Sequence, residues 1–431
     1  MYRELKSPVA VQLELTTGCN ERCVHCYNHW RRSSEEDRTL TEDDVRRIIE
    51  NLKDSEVPNL LITGGEPMLY PDLLIRTLEL GREAGLKCSL NSNLTLVTPE
   101  LARELKRLKV GILTSILSFD ERLHDKLTTV PGSFDMLVKG IRLVREYEIP
   151  VGANMVVMQM NVDQIYETGR FIHSMGVTAF RATKVHPAQG SPCFERIKLP
   201  SERIVDIFDT LIRLRDELGL DVDSLTTYPT CLLKDMSRYG QFVSRRSCSA
   251  GKTGCTIGAD GQVRPCGHSD NTYGNSIVEP LLEIWPRLRE WRDGSLLPTE
   301  CKECKHVIQC SGGCRMDCKH YGNISGMDPY APGKDFAYTP QQREEVTPLD
   351  PESELVVNST LRLRIETFGT ALIVDGNFKS IVTSDTAELL EQLRNATFTL
   401  GSISEEYGLE VDMLCKFFAS LHALRVVYFA S

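Results

Sequence analysis

The sequence predicts an α/β chain: a parallel sheet of six β/α units, then a cysteine-rich segment, then a small α+β domain. Three observations predict it. From residue 10 to about 220, short apolar runs alternate with amphipathic runs of helical spacing. Such a series calls for a parallel sheet, either open or curled as a partial barrel. Residues 240–330 lose that periodicity and gain Cys and Gly, as expected of a segment that folds around metal for want of an apolar core. Beyond a linker rich in proline and charge, alternating strands precede helices to the end of the chain.

The strand runs are VQLEL (11–15), NLLITGG (59–65), CSLNSN (88–93), LTSILSFD (113–120), GANMVVM (152–158) and FRATKV (180–185). Helical runs lie between them at 41–54, 71–85, 98–109, 134–148 and 163–176, and a further helix follows at 201–219. Thr41 with Asp44 has capping-box spacing, and Thr98-Pro99 sets a cap before a proline at the first helical position. In parallel sheets the chemistry sits at the C-terminal strand ends. The resulting boundaries are a barrel over 1–235, a cysteine-rich domain over 236–332, a linker over 333–352 and a small domain over 353–431.

A net charge of −10 argues against a nucleic-acid partner held through phosphates, and leaves a peptide partner open. No stretch reaches the roughly 18–20 apolar residues of a membrane span. There is no signal-peptide pattern at the start, so a cytoplasmic location is expected. In that reducing setting the 15 cysteines are metal ligands rather than disulfides, and 11 of them fall in two tight groups.

The first group is TTGCNERCVHCYNHW (16–30), where Cys19, Cys23 and Cys26 are spaced C-x3-C-x2-C just past the first strand. On spacing alone, zinc with His25 or His29 as fourth ligand competes with an iron–sulfur cluster that keeps one iron open. An open iron suits a chelator that offers an amine and a carboxylate together, such as an amino acid. This loop, ending in CVHCY, resembles the signature of radical S-adenosylmethionine (SAM) enzymes. The resemblance implies that the methionine part of SAM fills the fourth position of a [4Fe–4S] cluster. It also implies reductive cleavage to a 5′-deoxyadenosyl radical that abstracts a hydrogen atom from the substrate. The SAM-binding residues it implies are Tyr27 beside the loop and Gly64, Gly65, Glu66 and Pro67 of TGGEP at the end of strand 2. To these it adds Asn93 of SLNSN, Ser118 of LSFD reaching the ribose, and Arg181 of FRATKVHP pairing with the SAM carboxylate. The fold implied is a partial (β/α)6 TIM barrel.

The second group reads C248-x6-C255-x10-C266, a gap, then C301-x2-C304-x5-C310-x3-C314-x3-C318. Structural zincs are the alternative on residue types alone. The pattern resembles the SPASM extension of radical SAM enzymes that modify peptides. That likeness implies one auxiliary [4Fe–4S] cluster on Cys248, Cys255, Cys266 and Cys314, and a second on Cys301, Cys304, Cys310 and Cys318. Where the family often carries a distant last cysteine, MDPYA has Tyr330, so Cys318 or an open iron completes the second cluster. Cys88, Cys193, Cys231 and Cys415 are left over as small buried hydrophobes. Of these only Cys193, in GSPCFE, is a candidate to face substrate, as a catalytic hydrogen donor.

The C-terminal stretch resembles the winged-helix-like peptide-recognition domains of peptide-maturation systems, the mycofactocin and PQQ-pathway chaperones. That resemblance implies a leader peptide added as a strand to a sheet edge. A DNA-binding winged helix is disfavoured by the four acids of SEEYGLEVD. Together these readings describe a radical SAM/SPASM oxidoreductase that crosslinks a ribosomally made precursor peptide through a thioether or carbon–carbon bond. A flavodoxin or ferredoxin would donate its electrons. The alternatives are a peptide epimerase, a sulfatase-maturing enzyme (demoted because Gly267 and His268 follow Cys266), a haem-pathway maturase, and a non-catalytic zinc scaffold.

Overall fold

Alternation along each strand decides what the sheet buries. In β1 (Ala10–Glu14), Val11 and Leu13 are fully buried, and in β2 (Asn59–Thr63) Leu60 and Ile62 are. Helix α1 (Glu42–Asp54) supplies Val45, Ile48, Ile49 and Leu52 to the same core. Each such side chain contributes roughly 1.5–3 kcal/mol on burial. The computed structural model describes residues 2–28, 37–188, 194–233, 235–243, 247–332 and 346–430. The chain divides into two compact units, Met1–Gln341 and Gln342–Ser431.

In the first unit β1, α1 and β2 are followed by α2 (Pro71–Glu83), β3 (Lys87–Asn91), α3 (Pro99–Arg107) and β4 (Gly111–Ser115). Then come α4 (Glu121–Thr128), α5 (Ser133–Glu146), β5 (Val151–Val157), α6 (Ile165–Ser174), β6 (Ala179–Lys184), α7 (Phe194–Ile197), α8 (Ile204–Leu218) and β7 (Asp221–Asp223). The expected starts hold at two helices. Thr41 and Asp44 form a reciprocal capping box at α1, and Thr98 caps α3 before Pro99. The strand expected over 113–120 stops at Ser115. Its remainder turns so that Asp120 caps α4, accepting a hydrogen bond from the Leu123 amide.

The strand order is β7-β6-β5-β4-β3-β2-β1-β8-β9, and β1 to β7 are parallel throughout. Because β7 and β9 end the sheet on opposite sides, the barrel is partial, as expected. It gains β7, which at three residues, Asp-Val-Asp, gives no periodic signal. The cysteine-rich segment contributes α9 (Met236–Val243), β8 (Gly254–Ile257), β9 (Val263–Arg264), α10 (Leu281–Ile284), α11 (Thr299–Lys302), α12 (Val307–Cys310) and α13 (Arg315–His320). It docks on the barrel in three ways. Strand β8 runs parallel to β1, with Val11 opposite Cys255. Arg264 pairs with Glu14 across a fully buried contact. Trp285, wholly buried, donates its indole N–H to the Leu5 carbonyl at 2.9 Å.

The second unit holds two small antiparallel sheets, ordered β11-β12-β13 and β14-β10-β15. The strands are β10 (Leu355–Val357), β11 (Arg362–Glu366), β12 (Gly369–Val374), β13 (Asn377–Val382), β14 (Thr397–Phe398) and β15 (Val427–Phe429). Helices α14 (Ser384–Gln392), α15 (Leu400–Tyr407) and α16 (Val411–Ala423) cover a separate core of Leu355, Leu372, Leu390, Leu400, Phe418 and Val427. The expected strands and helices are present. Strands β10, β14 and β15, of two or three residues, had not been anticipated. Most of the expected linker lies outside the described residues. No helix among the described residues is long and apolar enough to cross a membrane.

Candidate functional site

The chain turns from β1 into the three-cysteine loop, and the TGGEP turn after β2 locks that loop by its backbone. The Gly65 amide donates to the Thr16 carbonyl at 2.7 Å, and the Glu66 amide to the Gly18 carbonyl at 2.8 Å. A Cβ at Gly65 would lie 1.8 Å from the Gly18 carbonyl oxygen, so no side chain fits there. Gly64 has φ +139°, and a Cβ there would lie 2.5 Å from the Thr16 carbonyl oxygen. Glu66, wholly buried, accepts from the Met68 amide (3.0 Å), the Ser92 hydroxyl (2.8 Å) and the Asn93 amide (2.8 Å). Burial pushes its carboxyl up to about 7, against those three donors. Asn93 in turn donates to the Asn20 side chain at 2.9 Å, tying the loop after β3 to the cysteine loop.

These turns surround a cavity of about 330 Å³ at the C-terminal strand ends. Cys19, Cys23, Cys26, Tyr27, Gly64, Gly65, Glu66 and Asn93 all line it. The three thiols are close enough that Cys26 and Cys19 add to the burial and to Glu21 in raising the Cys23 thiol. His25 and Asn28 also line the cavity. The His25 Nδ1 and Asn28 Oδ1 atoms are buried there without a partner. Three soft thiols beside orphaned polar atoms fit a cluster with a polar organic ligand better than a closed protein site.

Three expected residues do not line this cavity. Ser118 does not line the cavity. Its hydroxyl bonds the Gln164 side chain and accepts from the Asp120 amide. The strand ends at Ser115, so Ser118 lies in the turn beyond it, where its hydroxyl serves the Asp120 amide while Leu113, Ser115 and Leu117 line the cavity. Arg181 does not line the cavity, although Asn154, opposite it in the register, does; its guanidinium turns instead to the edge strand β7, in a 2.6 Å ion pair with Asp221. Pro67 opens a short 3-10 turn behind the motif. Cys193 lies outside the described residues.

The sequence reading passed over a group on the far wall. Lys184, the last residue of β6, and His186 just past it line the cavity with Thr226 and His268. Lys184 Nζ meets Asp317 of α13 at 2.5 Å, and His186 Nδ1 meets the same carboxylate at 2.6 Å. His186 Nε2 is engaged by the Thr226 hydroxyl. Burial alone would raise Asp317, but His186 and Lys184 outweigh it and hold the carboxyl well below its usual range. Burial likewise opposes the Lys184 charge, and Asp317 more than restores it. His268 stacks on Tyr27 (centroids 4.1 Å apart), and burial lowers it to about 3, so it is neutral at ordinary pH. KVHP carried the only sequence signal for this group, in its charged residues at a strand end.

Behind that wall lie Cys248, Cys266 and Cys314. Cys248 adds to the effect of burial on both of the other thiols. His186, Cys314 and Asp317 bring ligand atoms within 4.8 Å of one another. Cys255, on β8, is pushed up to about 12 by burial alone. In the second group, burial pushes the Cys301 thiol up to about 11, with Cys310 the leading charge on it and Cys304 also acting.

Comparison with known proteins agrees with this geometry. Residues 13–172 match the Radical SAM superfamily, and residues 248–305 match SPASM, an iron-sulfur cluster-binding domain. The chain is 28% identical over 351 residues to the AdoMet-dependent heme synthase of Methanosarcina barkeri, covering 78% of this chain and all of that protein. It is 27% identical over 340 residues to the mycofactocin maturase MftC of Mycolicibacterium smegmatis, covering 76% of this chain and 83% of MftC. Its fold is similar to that of Streptococcus suis SuiB bound to S-adenosylmethionine. That match has a TM-score of 0.62 at 21% identity, over 76% of this chain and 78% of SuiB.

Proposed function

We propose that this enzyme of the radical SAM type, which binds SAM at a [4Fe–4S] cluster and auxiliary clusters in its SPASM domain, modifies a ribosomally made precursor peptide. The modification is an oxidative crosslink, a thioether or a carbon–carbon bond, with net loss of two hydrogens. The observation that carries the peptide reading is the second unit. It is a separately cored α+β body in which β11 and β13 both end the β11-β12-β13 sheet and offer strand edges for a peptide to extend. SuiB has also been solved with its precursor peptide SuiA, and MftC is a maturase, which supports the same reading.

In this reading Cys19, Cys23 and Cys26 hold the SAM-binding cluster, while Gly64, Gly65, Glu66 and Asn93 shape the SAM pocket. When bound, the cluster and SAM supply a radical that removes a hydrogen atom from the peptide. The chain's own residues do the rest. The TGGEP turn fixes the cysteine loop, and Tyr27 and His268 form an aromatic wall. The buried Lys184–Asp317–His186 group joins the cavity to the Cys314 side, keeping charges fixed and water out between the two. An external flavodoxin or ferredoxin reduces the barrel cluster.

A second reading is favoured by one observation: the likeness to heme synthase runs over that relative's full length. In it the cavity takes a tetrapyrrole. The whole heme synthase aligns to 78% of this chain, so about a fifth of this protein, close to the size of the second unit, has no counterpart there. Co-expression with a short open reading frame found beside this gene separates the two. A peptide lighter by two hydrogens per crosslink supports the proposal. Unchanged peptides, with turnover of an iron tetrapyrrole instead, overturn it.

A further inference from the structure

The second group of cysteines lacks an obvious fourth member. Cys318 was expected to supply it. Cys318 sits four residues after Cys314 on α13, so the two share a helix face, and both feel Asp317 and Lys184 at the barrel mouth. The charged groups acting on Cys318 are Arg315, Asp328, Asp317 and Lys184, none of them a cysteine of the second group. Tyr330 stands where a relative would place a late cysteine. It belongs to the same mouth, with its ring centroid 4.9 Å from Lys184 Nζ.

A different thiol stands by Cys301 and Cys310. Residues 230–232 form a short 3-10 turn, and the Thr230 amide donates to the Cys310 sulfur at 3.3 Å. That hydrogen bond fixes the turn carrying Cys231 against the second group. Cys231 is half-buried. Of the charged groups around it, Cys310 and Cys301 act on it most strongly. A thioether also lies in this group, with Met327 Sδ 3.9 Å from the Cys301 sulfur. A backbone N–H aimed at a ligand sulfur is a recurring means of tuning iron–sulfur sites.

We infer that the fourth ligand of the second auxiliary cluster is Cys231, supplied by the turn after β7, and that the set is Cys231, Cys301, Cys304 and Cys310. The barrel side of the chain thereby closes a site that the C-x2-C-x5-C motif leaves one ligand short. Cys318 stays a buried thiol on the Cys314 side. This rests on the auxiliary clusters alone, and a peptide assay that failed would leave it untouched.

Two measurements on the full chain test it. In the first, protein loaded anaerobically with iron and sulfide is alkylated with iodoacetamide and mapped by mass spectrometry, beside chelator-stripped protein. Cys231 should label at least about tenfold more slowly when loaded, together with Cys301, Cys304 and Cys310, because a metal-bound thiolate is withdrawn from reaction. Cys88, buried in the barrel core, reports any loss of fold. In the second, Cys231→Ala and Cys318→Ala are each combined with alanine at Cys19, Cys23 and Cys26, so that only auxiliary clusters remain. Electron paramagnetic resonance of the reduced protein should show one of the two auxiliary signals shifted or lost in Cys231→Ala, and both retained in Cys318→Ala. Equal labelling of Cys231 in loaded and stripped protein, or a Cys231→Ala spectrum and iron content like the parent's, overturns the assignment.

Discussion

At the residue scale, backbone fit decides more than side-chain chemistry. Gly65 is the clearest case, since a single methyl there would collide with the Gly18 carbonyl oxygen. Gly65→Ala should displace the cysteine loop and cost at least about 1–3 kcal/mol, the range for overpacking a closed site. The check is a lower melting temperature together with loss of the cluster absorption. Glu66 gives a pH prediction. Its folded carboxyl sits near 7, above the unfolded value of 4.5, so the folded chain binds more protons between those values. SAM-free protein should therefore lose stability relative to Glu66→Gln as pH rises from about 4.5 through 7, read as a narrowing gap in denaturation midpoints. A constant gap would contradict the buried-carboxyl account. The cysteine loop and TGGEP were legible in sequence because their spacing is rigid and their residue types are few. His25 and Asn28 were not, since an orphaned polar atom is visible only once burial is known.

At the scale of elements, strand ends and distant partners explain what the sequence hid. LSFD and FRATKV read as polar strand ends, and Ser118 and Arg181 were the natural choices within them. Which face each residue takes depends on where the strand stops, and β4 ends at Ser115 rather than continuing to 120. Lys184 and His186 were hidden for another reason: their partner, Asp317, lies more than 130 residues away on α13. Neither Lys184 nor Asp317 is more than 1% exposed, so this pair has lost its hydration and holds only as a pair. Lys184→Met should leave the Asp317 carboxylate with His186 alone of its two partners and cost about 3 kcal/mol, measured by urea denaturation. Restoring neutrality with Lys184→Met plus Asp317→Asn should recover part of that loss. A single substitution as mild as a surface change would contradict the buried ion pair.

Across the whole molecule, the order barrel, cysteine-rich domain and small α+β body was readable from shifts in composition and periodicity. The attachment of β8 and β9 to the barrel sheet was not, because two short strands in a glycine-rich segment carry no periodic signal. The two units have separate cores, so the chain cut before residue 346 should keep its clusters and still cleave SAM. It should lose most turnover of a leader-bearing peptide, and this is checked by comparing 5′-deoxyadenosine formed with peptide modified. Equal modification by the shortened chain would remove the second unit from substrate recognition.

The central claim is that three thiols hold a cluster whose remaining position takes SAM. The most direct measurement is 5′-deoxyadenosine released from SAM by anaerobically reconstituted, reduced protein, beside the same protein with Cys19, Cys23 and Cys26 all changed to alanine. The parent should carry iron and release 5′-deoxyadenosine, and the triple variant should release none. Equal release from both, or a parent that carries zinc without iron, would contradict the account.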